Sequence, residues 1–152
     1  MIIEIASRAE IEELILTPAT ALISITDYGW SFAEPGSRPG HLLRLVFDDV
    51  DGDVFEDELG RAPTEVERKQ IEAKYHMLTD EQAGQIALFY HKVCKDATVI
   101  ICQCEHGQSR SAAIAAAILE YESGKGIDIF ADDRYYPNKT VFKKVLKYLQ
   151  NR

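Results

Sequence analysis

Long apolar runs are missing from this 152-residue chain. None approaches the ~20 residues that a helix needs to span a bilayer, so no membrane association is expected. The N-terminus, Met1-Ile2-Ile3-Glu4-Ile5, has neither the basic stretch nor the long apolar stretch of a secretion signal. A cytoplasmic location is the default expectation. Cysteine is scarce as well. Cys94, Cys102 and Cys104 are too few and too clustered for a disulfide framework, and are expected as free thiols. Cations are in deficit: 17 Lys and Arg against 25 Asp and Glu leave a formal net charge of -8. Nucleic-acid backbone and anionic lipid both require clustered positive charge, so neither is expected as a partner. Internal repeats and low-complexity segments are absent too.

What is present reads as one ordinary globular domain over residues 1–152. Hydrophobic residues at 46% and charged residues at 28% are typical of a soluble fold, and the length suffices for a single core. Residues 2–5, 21–25, 41–47 and 98–102 read as short strands rich in β-branched and apolar side chains. Between them lie helical segments. Ser7 with Glu10 forms a capping box for a helix to about Leu16, Thr64 with Glu67 opens a second to about Tyr75, and Thr79 opens a third. The third carries Ala83, Ile86, Ala87, Tyr90 and Val93 on one stripe. Ser111 to Tyr121 is Ala-rich, almost wholly small or apolar, and expected to be buried; Gly124 and Gly126 end it. A last helix follows Pro137-Asn138, with a Lys139, Lys143, Lys144 and Lys147 face expected to be solvated. Two segments read as loops: the Gly- and Pro-containing stretch from Asp27 to Gly40, and the acidic stretch from Asp48 to Glu58. Alternating strands and helices predict an α/β fold with a central, mostly parallel sheet flanked by helices.

The chemistry concentrates in Val99-Ile100-Ile101-Cys102-Gln103-Cys104-Glu105-His106-Gly107-Gln108-Ser109-Arg110-Ser111. A strand runs into a polar turn that runs into a helix. The helix start offers free N–H groups and the positive end of the dipole. A curled turn there aims successive N–H groups inward as an anion nest, and Gly107 permits the sharp bend. The phosphate-binding residues are therefore Glu105, His106, Gly107, Gln108, Ser109 and Arg110, the first five through their backbone. The field that binds phosphate also favours a thiolate at Cys104, which faces the phosphoryl group as a nucleophile. Arg110 brings a planar fork that can take two phosphate oxygens. Ser111 can donate a hydrogen bond to the sulfur and ease its departure.

The segment Cys104-Glu105-His106-Gly107-Gln108-Ser109-Arg110-Ser111, in its strand–turn–helix setting, resembles the protein tyrosine and dual-specificity phosphatase superfamily, and looks like a compact bacterial or phage-type member. The resemblance implies a phosphatase-like fold, a phosphocysteine intermediate, no metal or other cofactor, and a separate aspartic general acid. It makes phosphorylated protein the leading substrate class and a small phosphorylated metabolite or nucleotide the second. One residue departs from the pattern. Gln103 stands where the family usually has His, which helps to hold the loop and the thiolate.

The general acid should lie just past an earlier strand. Phe47-Asp48-Asp49 fits, with Asp49 the first choice and Asp48 the second; Asp27 and the Asp132-Asp133 pair are weaker alternatives. Other residues admit two readings. Tyr28, Trp30 and Phe32 either line a pocket wall or pack the loop on itself, the latter being simpler. Cys102 is a small core residue or a resolving thiol; in the second case arsenate reduction enters as an alternative activity. A catalytically weak phosphate-binding module is the alternative outside enzymes. Cys102, Cys104 and His106 are too close in sequence for a structural zinc site.

Overall fold

A computed structural model describes residues 1–151; Arg152, the last residue of the expected domain, lies outside the described residues. Four strands form one sheet: β1 (Ile2–Ala6), β2 (Thr20–Thr26), β3 (His41–Val46) and β4 (Val99–Gln103), in the order β1-β4-β2-β3. Every pairing is parallel, with Ile3 opposite Ile100, Ile23 opposite Cys102, and Ile25 opposite Leu45. Parallel strands need crossovers that cover both faces. Side chains on β2 and β4 accordingly alternate between two cores. Ala21, Ile23, Ile25, Ile100 and Cys102 face the larger one, against α4 (Asp80–Val93), α5 (Arg110–Ser123) and α7 (Lys139–Gln150). Leu22 and Ile101 face a smaller one with Ile11 of α1 (Arg8–Glu13), Leu16 and Ala33.

The Ala-rich segment forms α5, and every residue from Arg110 to Ile118 is buried. Its small side chains let it lie close to both the sheet and α7. Gly124, at φ 69°, closes the helix in the left-handed conformation. Both expected capping boxes form, and Thr79 makes a third with Gln82.

Three expectations need correction. The first helix stops at Glu13, not Leu16. Pro18 biases Thr17 toward extended backbone, and Ser37 Oγ accepts from the Leu16 N–H while donating to its carbonyl. The acidic stretch is only partly a loop, because residues Asp53–Leu59 form α2. Asp53 and Glu56 suit the positive end of its dipole, and the buried Phe55 packs on Tyr75 with ring centroids 5.0 Å apart. The lysine face of α7 is not all solvated: Lys144 lies 2.8 Å from Glu72 of α3 (Glu65–Lys74), and both side chains are nearly covered. Arg68 holds Glu72 at 2.8 Å and Asp80 at 3.3 Å, closing a four-residue network. Burial pushes the Asp80 carboxyl up, but the bond from Arg68 and the charge of Lys144 outweigh it and hold it below its ordinary value. Removing one partner of a buried pair strands the other. Lys144→Met should therefore cost about 2 kcal/mol, below the full buried-pair value because Arg68 still serves Glu72. Chemical denaturation checks this; an unchanged midpoint would show the network to be energetically idle.

A short α6 (Ile127–Phe130) completes the chain's elements. The arrangement matters most for what it gathers. The carboxyl ends of all four parallel strands open on one edge, where open α/β sheets bind ligands. Ala6, Asp27, Phe47 to Asp49, and Cys104 lie at or just past those ends.

Candidate active site

The turn between β4 and α5 is held from below by β1 and α1. Cys104 N–H donates to Ala6 carbonyl at 3.3 Å, and Arg8 N–H donates to Glu105 carbonyl at 3.0 Å. The Glu105 side chain turns away to accept from Arg8 Nε at 2.7 Å. Arg8 also donates to Thr26 Oγ1 and Ser31 carbonyl, so one guanidinium ties the turn to the end of β2. Gly107 is buried at φ 67°. A Cβ there would lie 2.7 Å from Ser7 N and 2.8 Å from Ala6 C, so only glycine lets the turn close on β1.

Gln103, which departs from the family pattern, is tied into the sheet. It is fully buried, accepts from Ser24 Oγ, and donates through Nε2 to Cys104 carbonyl at 3.0 Å. The side chain thus braces the base of the turn against β2.

Cys104 is 2% exposed, and its sulfur lies 3.0 Å from Ser111 Oγ. Ser111 is the second residue of α5, so this hydroxyl sits at the helix's positive end. Arg110 is also buried. Its Nη1 donates to Asp27 Oδ1 at 2.6 Å and to Phe47 carbonyl at 2.7 Å. Its Nε is buried with no partner among the described residues. An unpaired buried donor of this kind costs free energy. The guanidinium is clamped through one nitrogen, and its Nε is left to receive an acceptor.

The acidic candidates separate cleanly. Asp27 is the counterion of Arg110, a role the sequence did not reveal; its only signal was an Asp immediately after a buried strand. Asp48 Oδ1 accepts from Tyr28 N–H at 2.8 Å, and its own N–H donates to His76 carbonyl at 2.7 Å. His76 has φ 52° and stacks on Tyr28 with centroids 3.8 Å apart, so Asp48 anchors the loop. Asp132 bonds to Arg134, which holds its carboxyl at about 2 and ties it to its own turn. Asp49 remains. Its Oδ1 accepts from Ser109 Oγ at 2.8 Å and from Asn138 Nδ2 at 2.9 Å, while the residue is exposed. A carboxyl from the β3 loop is thereby joined to the turn that carries Cys104.

His106 and Gln108 are exposed, as are Tyr28, Trp30 and Tyr136. Tyr28 and Trp30 therefore do not pack the loop on itself. The Tyr136 N–H donates to Gln108 carbonyl at 2.8 Å, which seats it beside the turn. Cys102 is fully buried; burial, with the neighbouring Cys104, pushes its thiol up. A separate cavity of about 420 Å³ lies between α2, α3 and α7, and neither Cys104 nor Arg110 lines it. Among the described residues no helix is long and apolar enough to cross a membrane.

The all-parallel sheet with its loop between β4 and α5 is a phosphatase-like α/β fold. A solved structure, a crystal structure of PTPMT1, superposes on it with a TM-score of 0.55 over 99% of this chain and 90% of that one, at 14% sequence identity. No protein-family model and no curated protein matches the chain.

Proposed function

We propose that this protein is a cysteine-dependent phosphate monoester hydrolase of the protein tyrosine or dual-specificity type. The observation that carries the proposal is that one turn brings both the Cys104 thiol, bonded to Ser111, and the clamped Arg110 to the start of α5. The buried Nε of that arginine has no partner among the described residues. The likeness to PTPMT1 supports the fold on which this chemistry would run. Exposed Tyr136, seated beside the turn by its bond to Gln108, favours an aryl phosphate on a protein over a small enclosed metabolite.

Two steps follow. The Cys104 thiolate attacks phosphorus, the bond to the leaving oxygen breaks, and Asp49 passes its proton to that oxygen. Backbone N–H groups of the turn and the Arg110 fork stabilise the equatorial oxygens as charge moves. The Asp49 carboxylate then takes a proton from water as the water oxygen attacks phosphorus. The S–P bond breaks, Ser111 donates to the departing sulfur, and inorganic phosphate leaves. Arsenate reduction would need Cys102 as a resolving thiol, and its buried, unionised state argues against that role.

Hydrolysis of p-nitrophenyl phosphate in a metal chelator tests the class. Asp49→Asn tests the acid. It should lower kcat/KM for phenyl phosphate about 100-fold, and lower kcat/KM for p-nitrophenyl phosphate less, because nitrophenolate leaves without a proton. Vanadate affinity should stay nearly unchanged. Full activity of Asp49→Asn on phenyl phosphate across the pH profile would remove Asp49 from the mechanism.

A further inference from the structure

Asn138 occupies a junction that its role as a helix cap does not explain. Its Oδ1 accepts from Val141 N–H at 3.0 Å and so caps α7. Its Nδ2 faces the other way and donates to Asp49 Oδ1 at 2.9 Å and to Val50 carbonyl at 3.1 Å. Its backbone N–H donates to Ser109 carbonyl at 3.2 Å. The residue is 5% exposed, so water competes poorly for these bonds. Asn138 thus joins three elements, helix α7, the Asp49 loop and the turn that carries Cys104, and its carbonyl adds a second bond to α7 from Phe142 N–H at 3.0 Å.

The two donors on Asp49 share a consequence. Ser109 Oγ and Asn138 Nδ2 both point at Oδ1. An oxygen that accepts two hydrogen bonds is a poor place for a proton, so the acidic proton belongs on Oδ2. The pair therefore decides which oxygen of Asp49 is the acid and where it is held. Nearby bonds fix the loop on the same side: Gly52 N–H donates to Thr140 Oγ1 at 2.7 Å, and Thr140 Oγ1 donates to Asp51 Oδ1 at 3.0 Å.

We infer that Asn138 is the positioning residue of the general acid, locking the Asp49 carboxyl to the phosphate-binding turn with its proton on Oδ2. The inference rests on the hydrolase reading above. Asn138 touches no reacting atom; it acts through Asp49.

Asn138→Asp separates this role from capping. Aspartate caps a helix about as well as asparagine, but it cannot donate to Asp49 and repels it. With phenyl phosphate, which needs its leaving group protonated, kcat/KM, which ends at loss of the leaving group, should fall roughly 10- to 100-fold, the cost of a misplaced catalytic group. With p-nitrophenyl phosphate the loss should be several-fold smaller. Adding Asp49→Asn should make matters no worse than Asp49→Asn alone, because both changes remove one function. Equal losses on the two esters, or multiplying losses in the double variant, would overturn the inference.

A second readout needs no turnover. In the Cys104→Ser background, hydrogen exchange in Asn138→Asp should quicken in residues 48–52 and stay unchanged in α7 beyond its first turn. Exchange that quickens throughout α7 would show a purely structural role and sink the inference. Quickening confined to residues 48–52, in a protein with no Cys104-dependent hydrolysis, would uphold the tether and overturn only the hydrolase reading.

Discussion

Replacing Arg110 with lysine should lower kcat/KM for a phosphate monoester by about 10³-fold, the upper range for loss of one preorganised transition-state donor. The expectation follows from how the guanidinium is divided. Nη1 is committed to Asp27 and to the Phe47 carbonyl. Nε is buried and unpaired among the described residues. A guanidinium can be clamped by one nitrogen and still present a second donor in a fixed direction. An ammonium has one nitrogen on a flexible stem. In Arg110→Lys that single nitrogen would have to choose between Asp27 and the substrate, and Asp27 would win when the site is empty. Charge is conserved by the change, so a drop smaller than tenfold would mean that Arg110 acts only as a positive charge. Steady-state kinetics with phenyl phosphate, read beside vanadate inhibition, would decide between the two. Thermal unfolding should move little, since the new ammonium still gives Asp27 a partner.

Much of this site was legible in the sequence alone, and the physics says which part. Cys104, Gly107, Arg110 and Ser111 lie within one strand–turn–helix unit, where local backbone rules dictate the geometry. The capping boxes and the buried Ala-rich α5 were legible for the same reason. What stayed hidden involves residues distant in sequence. Asp27 meets Arg110 across 83 positions, Asn138 meets Asp49 across 89, and Gln103 meets Ser24 across 79. The parallel sheet sets Gln103 opposite Ser24 and ends β2 and β3 on the edge where Asp27 and Asp49 follow, while packing of α7 brings Asn138 to that edge. Gln103 looked like a weakness because its partner lies on another strand. Lys144 looked solvated because helical periodicity shows a face but not what packs against it, here the acids Glu72 and Asp80. In α2, charge masked a helix: seven acidic residues between Asp48 and Glu58 suggested solvent, while Phe55 supplied the one buried anchor.

Cys104→Ser should abolish hydrolysis, a loss of about 10⁴-fold or more, as for removal of a nucleophile that works as part of a unit. A serine hydroxyl keeps its proton unless a base takes it. The buried side chains bonded to Cys104 are the Ser111 hydroxyl and the Gln103 amide, and neither is a base. The His106 side chain is exposed in the turn. Serine would therefore sit inert at the same spot. Binding should survive, because the turn's N–H groups and Arg110 do not depend on the sulfur. A phosphotyrosine peptide should then bind Cys104→Ser with an affinity that Arg110→Lys weakens. Cys102→Ser provides the contrast. That residue lies in the sheet core, fully buried, so its loss should affect stability and leave turnover. If Cys102→Ser also abolished activity, the chemistry would be thiol exchange and the hydrolase reading would fall. The positive counterpart is a trapped intermediate. Asp49→Asn protein, mixed with p-nitrophenyl phosphate and quenched in acid, should carry a phosphoryl group on the Cys104 peptide. Asp49 is needed to activate water, and nitrophenolate can leave without it, so formation of the phosphocysteine outpaces its breakdown. A phosphoryl group on any other residue would exclude Cys104 as the nucleophile, however complete the loss in Cys104→Ser.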